Sequence, residues 1–486
     1  SGMSGTVGTR QSLLMSTLWV VPLLFFPKYS RFIAAMIGLF LWAAALSCLG
    51  YWMIYGQDFS QSAIFIIFES NTTESREFIQ SYLEYWHVII YITFSVIAFK
   101  IWRLMPPITL PRKTRYSYIL LFSLIVSWPF IGTLLKTNNL AQASYHQIHR
   151  LEPAAPWNLV VGYIKYRHEL TNMEKLLADN KRIRPLQNLN INLDKMPDTL
   201  VLVIGESTNR QRMSLYEYPR KTTPRLDALR DEITVFNDVV TPRPYTIEAL
   251  QQALSFADEK NPDAFFTQPT LLNMMKQAGY EITWITNQQT QTRRNTMLTT
   301  LSQMADHQVY LNNNRSQNAS QYDGKVIAPF KNALAQSGKK KMIVVHLLGT
   351  HRKYDYRYPK SFEKFTNKQG VPEWVSPSDI YEYNSYDNAV AYNDDVLANL
   401  IDSVKQHNDN ALLVYFSDHG EEVYDSPEKQ FTGRNEAAPT EAMYTVPFIT
   451  WASPKWKANG NAAQWQQYTD RPFTIADFIH TLPDML

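Results

Sequence analysis

The sequence predicts two parts: a helical membrane-spanning region, then an α/β domain with a mostly parallel sheet between helices. Three observations carry this. Residues 1–135 hold long apolar runs, whereas residues 197–486 read as an ordinary globular domain. In the second part, strand-like runs alternate with helix-length segments, the pattern of βαβ units. Two of the apolar strands end in acidic or imidazole side chains, at Gly205-Glu206-Ser207-Thr208 and at Ser417-Asp418-His419-Gly420. In open α/β sheets, ligands bind outside the carboxyl ends of the strands.

The chain has 486 residues, room for about two or three domains. A net charge of +3 argues against a dedicated nucleic-acid binder. Four apolar segments lie at about 12–27, 33–55, 86–102 and 117–135. The second is long enough to cross a bilayer alone, since about 20 apolar residues span the hydrocarbon. The first carries Pro22 and Pro27, which blur its ends. Buried core helices are the plainer alternative, but aromatic and basic ends recur on the runs. Loops with Lys28 and Arg31, and with Lys100, Arg103, Arg112, Lys113 and Arg115, are basic, while 57–84 is net acidic. The excess of Lys and Arg places the basic loops in the cytoplasm and everything after 135 on the far side. The polar start then also lies outside, so a further span is expected upstream. The single cysteine, Cys48, falls in the second segment, leaving the outer domain without disulfides.

Residues 136–196 read as a linker. Its amphipathic stretch from Leu159 to Leu177, with Trp157, Tyr163, Lys165 and Tyr166, suits a membrane surface or the flank of the outer domain. Beyond it, strands are expected at 199–205, 233–240, 281–286, 342–348, 411–417 and 445–452. Helices are expected at about 246–257, 270–279, 323–336 and 379–407.

The chemistry starts from Glu206, Asp418 and His419. Delivered to one rim, they form an oxygen-and-nitrogen donor set suited to zinc. With no cysteine to complete the shell, that set points to a catalytic metal. Thr246 stands before a helical run. Capping is the simple reading, but a hydroxyl at a helix N-terminus and beside a metal can also attack phosphorus. His351 follows the strand 342–348 and is a candidate to donate a proton to a leaving oxygen or to hold a phosphate oxygen. His346, inside the apolar run, reads as a core histidine. Asn287 and Gln288 end another strand, with Arg293 and Arg294 nearby. Amides and guanidinium groups suit phosphate oxygens; a solvated loop is the alternative. Glu421 and Glu422 either orient His419 or sit at the surface.

This constellation resembles the phosphoethanolamine transferases of Gram-negative bacteria, over nearly the whole chain. The motifs are Ile204-Gly205-Glu206-Ser207, the helix start at Thr246, Gly349-Thr350-His351, Ser417-Asp418-His419-Gly420 and Val446-Pro447-Phe448. Glu152-Pro153-Ala154-Ala155-Pro156-Trp157, Arg243-Pro244-Tyr245-Thr246 and Gly433-Arg434-Asn435-Glu436 are similar to the branch that modifies the lipopolysaccharide core. The resemblance implies an alkaline-phosphatase-like periplasmic domain on an inner-membrane anchor. It implies zinc held by Glu206, Thr246, Asp418 and His419, one ion with a second left open. It also implies phosphatidylethanolamine as donor, lipopolysaccharide as acceptor and a monomeric enzyme that acts through a covalent threonine. The family's five spans agree with an upstream helix. Three departures stand out. The lipid A branch has several disulfides in this domain, where this chain has no cysteine. The lipid A branch has a histidine in the stretch before Val446, where this chain offers Arg434 and Asn435. The lysine of that branch is replaced by Thr292, with Arg293 next to it. A glycerol-phosphate transferase would use the same metal and threonine, as would a lipid A or glucan transferase. A sulfatase is excluded by the lack of a cysteine at the site, and an inactive scaffold is opposed by the intact donor set.

Overall fold

The computed structural model describes residues 5–55, 83–151, scattered positions between 157 and 192, and 195–486 apart from 290–296, 313–321, 337–339, 408–409, 429–430, 437 and 459–461. The chain divides into two units, Ser1–Glu169 and Leu170–Leu486. The division falls inside the expected linker. The acidic loop, most of the amphipathic stretch and Arg293 lie outside the described residues.

Among the described residues of the first unit, three helices are long and apolar enough to cross a membrane: Pro27–Met53, Tyr85–Leu104 and Arg112–Thr137. Their outer faces carry exposed residues such as Phe32, Leu39, Ile92 and Leu120, as a lipid-facing surface requires. The first expected segment is a shorter apolar stretch, Arg10–Phe25. It breaks into a helix Gly5–Ser16, a tighter turn Thr17–Val20 and a helix Val21–Phe25 begun by Pro22. Trp42 donates to Ser95 at 2.9 Å, a polar tie between two of the long helices.

The described residues of the second unit form eleven strands: β1 Thr199–Gly205, β2 Ile233–Phe236, β3 Val239–Val240, β4 Glu281–Gln289, β5 His307–Asn312, β6 Lys341–His346, β7 Ala411–Ser417, β8 Glu422–Val423, β9 Thr432–Gly433, β10 Phe448–Ala452 and β11 Phe473–Thr474. Seven form one sheet in the order β2-β10-β7-β1-β6-β4-β5. β7, β1, β6, β4 and β5 run parallel, and β10 is antiparallel to both of its neighbours. Because β1 lies mid-sheet, every residue in it is buried. Leu200, Leu202 and Ile204 enter one core layer, Val201 and Val203 the other. That two-sided burial is why the strand reads as one unbroken apolar run. The helix Ile380–His407 covers the second face through Tyr386, Val390, Leu397 and Ile401.

The expected strand over 233–240 is interrupted into β2 and β3. β5 escapes a sequence reading because it is a sheet edge whose first residues, His307 and Gln308, are exposed. The segment 445–447 does not extend β10. Thr445 instead bridges to Val240.

Candidate active site

Strand register builds the site. Gly205 pairs with Ser417, so β1 and β7 end level with each other and release Glu206 and Asp418 side by side. Both carboxylates and His419 are buried, and their ligand atoms lie within 4.8 Å of one another. Ser207 turns the chain away with a left-handed φ of 56°. Its amide donates to Asp418 Oδ1 at 3.1 Å and its hydroxyl to Glu206 Oε1 at 2.8 Å.

Thr246 begins the helix Thr246–Ala253. Its hydroxyl donates to Glu206 Oε2 at 3.0 Å and lies 3.3 Å from His419 Nε2. It makes no cap: the N-cap position is Tyr245, which has no capping side-chain bond. His419 Nδ1 donates to Gly420 O at 2.8 Å, which turns Nε2 toward the carboxylates. Nε2 is 3.2 Å from Glu206 Oε1 and 3.4 Å from Asp418 Oδ2. Arg434 Nη1 stands 2.6 Å from the same nitrogen. Burial works against a proton on this ring, but Asp418 and Glu206 outweigh it and raise the imidazole above its ordinary value.

The electrostatics favour a cation. Burial opposes ionisation of Glu206, but His419, His351 and Arg434 outweigh it and hold the carboxyl well below the usual range. Burial, then the Glu206 charge, pushes Asp418 up to about 7. Two carboxylates this close repel, and a bound cation relieves that. Asp418 Oδ2 is buried with no hydrogen-bond partner. An orphaned carboxylate oxygen, a second carboxylate, an imidazole nitrogen and a hydroxyl make a donor set that fits zinc.

Gln288, expected on phosphate, instead gives its amide to Glu206 Oε2 at 3.1 Å and to Leu347 O at 2.8 Å. It therefore steadies a ligand carboxylate. Asn287, expected on phosphate, is fully buried and its amide donates to Asp323 at 2.8 Å. Adjacent strand residues point to opposite faces, which separates the two amides. Asp323 also accepts from Leu348 N and Gly349 N, fixing the turn that follows β6. Asn435, also expected on substrate, uses its side chain to hold Ala438 N. Neither Glu421 nor Glu422 orients His419, since Gly420 O does that. Both are buried rather than exposed. Glu421 accepts from Tyr354 at 2.7 Å and faces Arg434 Nε at 3.5 Å. Glu422 accepts from Asp425 N and Ser426 N.

His351 donates from Nδ1 to Arg352 O at 2.6 Å, and burial pushes it down to about 4 against the pull of Glu206. It is neutral at pH 7, an acceptor first and a donor only after taking up a proton. His346 is a core residue as expected, but its Nε2 is buried without a partner. Three supporting residues have roles that their sequence neighbourhood does not announce. Thr350 donates to Ser207 O at 2.8 Å, and Tyr386 donates to the same oxygen at 2.7 Å. Tyr354 reaches Glu421 from the far side. Hydroxyls in buried, long-range contacts leave no spacing to read.

A parallel sheet with acidic, imidazole and threonine side chains at its carboxyl rim defines a metal-site phosphoryl or sulfuryl enzyme of the alkaline phosphatase class. Residues 198–486 match the Sulfatase family. Phosphoethanolamine transferase EptC of Escherichia coli (strain K12) is 50% identical over 491 residues, covering 100% of this chain and 85% of that protein. Phosphoethanolamine transferase CptA of Salmonella typhimurium is also 50% identical, with the same coverage. The chain belongs to the EptC/CptA phosphoethanolamine transferases, within the alkaline phosphatase superfamily. The zinc-complexed C-terminal periplasmic domain of EptC from Escherichia coli superposes with a TM-score of 0.60 at 55% identity, over 62% of this chain and 86% of that one. The integral membrane phosphoethanolamine transferase A of Neisseria meningitidis shares the fold along 100% of this chain and 90% of its own, with a TM-score of 0.64 at 20% identity.

Proposed function

We propose that this enzyme moves phosphoethanolamine from phosphatidylethanolamine to the lipopolysaccharide core, on a heptose, through a covalent Thr246 intermediate. The observation that carries the reading is the Thr246 hydroxyl, seated 3.0 Å from Glu206 at a helix start instead of capping that helix. Glu206, Thr246, Asp418 and His419 would hold zinc, which supplies Lewis acidity that lowers the pKa of a hydroxyl and offsets phosphate charge.

Thr246 Oγ forms a bond to phosphorus as the bond from phosphorus to the glycerol oxygen breaks. Its proton passes to neutral His351 and from there to the departing oxygen, releasing diacylglycerol. The acceptor hydroxyl then forms the second phosphorus–oxygen bond and Thr246 leaves, taking back a proton. The helix amides behind Thr246 face developing negative charge. Gln288 keeps Glu206 in place, and Arg434 and Arg293 are the cations offered to phosphate oxygens. One residue serves both half-reactions, so the kinetics are ping-pong. The three long apolar helices, with basic residues at the start of the first and between the second and third, support an inner-membrane anchor with the catalytic domain in the periplasm.

Intact-mass spectrometry after incubation with phosphatidylethanolamine tests the reading. A phosphoethanolamine adduct on the wild type and none on Thr246→Ala is the expected result. An adduct that survives the substitution would move the nucleophile elsewhere. Modification of lipid A phosphates with none on the core would overturn the acceptor.

A further inference from the structure

Among the described residues, the buried carboxylate oxygens without a hydrogen-bond partner include Glu422 Oε2 and, on either side of Arg434, Asp418 Oδ2 and Glu421 Oε2. An orphaned buried acceptor costs about 1–3 kcal/mol, so two on one site call for a common cause. Arg434 stands between them. Its Nη1 lies 2.6 Å from His419 Nε2, while its Nε lies 3.5 Å from Glu421 Oε2, too far for a good hydrogen bond. The other oxygen of Glu421 is already fixed by the Tyr354 hydroxyl at 2.7 Å. Glu421 and Tyr354 are each about 1% exposed, so this brace is rigid and dry.

We infer that Arg434 is a two-position cation: it yields His419 Nε2 to zinc by swinging onto Glu421 Oε2, and from there faces the donor phosphate. One movement then satisfies both orphaned oxygens, since Asp418 Oδ2 gains the metal and Glu421 Oε2 gains a charge-assisted bond. On His419, the guanidinium lies against Nε2 and offsets the charge of the paired carboxylates. On Glu421, it keeps its charge beside the site and frees a fork of N–H groups. Tyr354 and Glu421 are therefore positioning residues that set the second place of Arg434.

The inference rests on the zinc reading above, and a double-mutant cycle on metal affinity tests it separately. Zinc affinity is measured by chelator competition on the full chain in detergent. The variants are the wild type, Glu421→Gln, Glu421→Asp, Arg434→Gln and each Glu421 change combined with Arg434→Gln. Circular dichroism checks folding. Either change at Glu421 should weaken zinc binding about tenfold, the worth of one charge-assisted hydrogen bond. Glu421→Asp retains the charge, so it separates loss of the landing point from loss of field. In the Arg434→Gln background, Glu421→Asp should have no effect, because the defect requires the arginine. Arg434→Gln alone should bind zinc at least as tightly as the wild type while transfer falls. An equal loss from Glu421→Asp with and without Arg434, or no loss in either background, would overturn the two-position arginine. Failure of the wild type to bind zinc would instead sink the metal reading itself.

Discussion

The Ser207 amide donates to Asp418 Oδ1 at 3.1 Å, joining two strand ends that are 211 residues apart in the chain. That bond converts two separate motifs into one site. It also fixes which Asp418 oxygen is used by the protein, leaving Oδ2 for a metal.

Removal of a metal ligand should separate metal binding from folding. Asp418→Asn keeps the shape of the side chain but loses a charged donor. For the wild type, zinc at 100 times its dissociation constant should add about 2.7 kcal/mol to domain stability. Asp418→Asn should show almost none of this increment in thermal melts with and without chelator. A full zinc-dependent rise in the variant would refute the ligand assignment.

Thr246→Ala should leave the fold intact and abolish turnover. Its helix is anchored by buried Ala249, Leu250 and Ala253, none of which needs the hydroxyl. A loss of at least about 10³-fold in transfer is expected for a lost covalent nucleophile. Zinc affinity should fall far less than in Asp418→Asn. Comparable losses of metal in both would make Thr246 a ligand without a nucleophilic role.

Gly349 should tolerate no side chain. It has a φ of 56°, and an added Cβ would sit 2.5 Å from Glu206 O and 2.8 Å from Glu206 N. The left-handed conformation alone costs a non-glycine residue about 1–2 kcal/mol. Gly349→Ala should therefore cost more than that in chemical denaturation and displace Glu206, with weaker zinc binding. Unchanged stability would show that the turn after β6 is softer than its Asp323 anchors imply.

His346 gives the zinc-free domain a pH dependence. Burial pushes its imidazole down to about 4, with Glu206 pulling the other way. Its folded pKa thus lies below the unfolded value of about 6.5. The unfolded state binds the extra proton between these limits, so stability is complete above about 6.5 and is lost as pH falls toward 4. The ceiling is about 3 kcal/mol. His346→Phe, which preserves a ring against Trp284, should flatten the dependence. The readout is the difference in denaturation midpoint between pH 7.5 and 5, and an equal slope in both proteins would exclude His346 as its source.

A fragment from about residue 197 onward should fold alone yet transfer poorly from bilayer lipid. Both core layers of the sheet lie almost wholly within that range. The proposed donor is a membrane lipid, to which the anchor would supply access. Equal transfer rates from vesicles for fragment and full chain would contradict a positioning role for the spans.

The sequence by itself determined the split into membrane helices and an α/β domain, the central strands and the identity of Glu206, Asp418 and His419. These features are local. A strand buried on both faces is apolar throughout, and a polar pair at its end marks the rim. Thr246 was legible only as a hydroxyl at a helix start, with two readings open. Tertiary structure brings Glu206 and His419 to it, which favours the site reading over the capping one. It also reassigned Asn287 to Asp323, Asn435 to Ala438 and Glu421 to Arg434. The antiparallel β10 and the edge strand β5 were likewise settled by partners. Each of these depends on register and packing between segments that are far apart in the chain. Neighbouring residues encode periodicity and capping, whereas the partner of a buried polar group is chosen only when the sheet assembles.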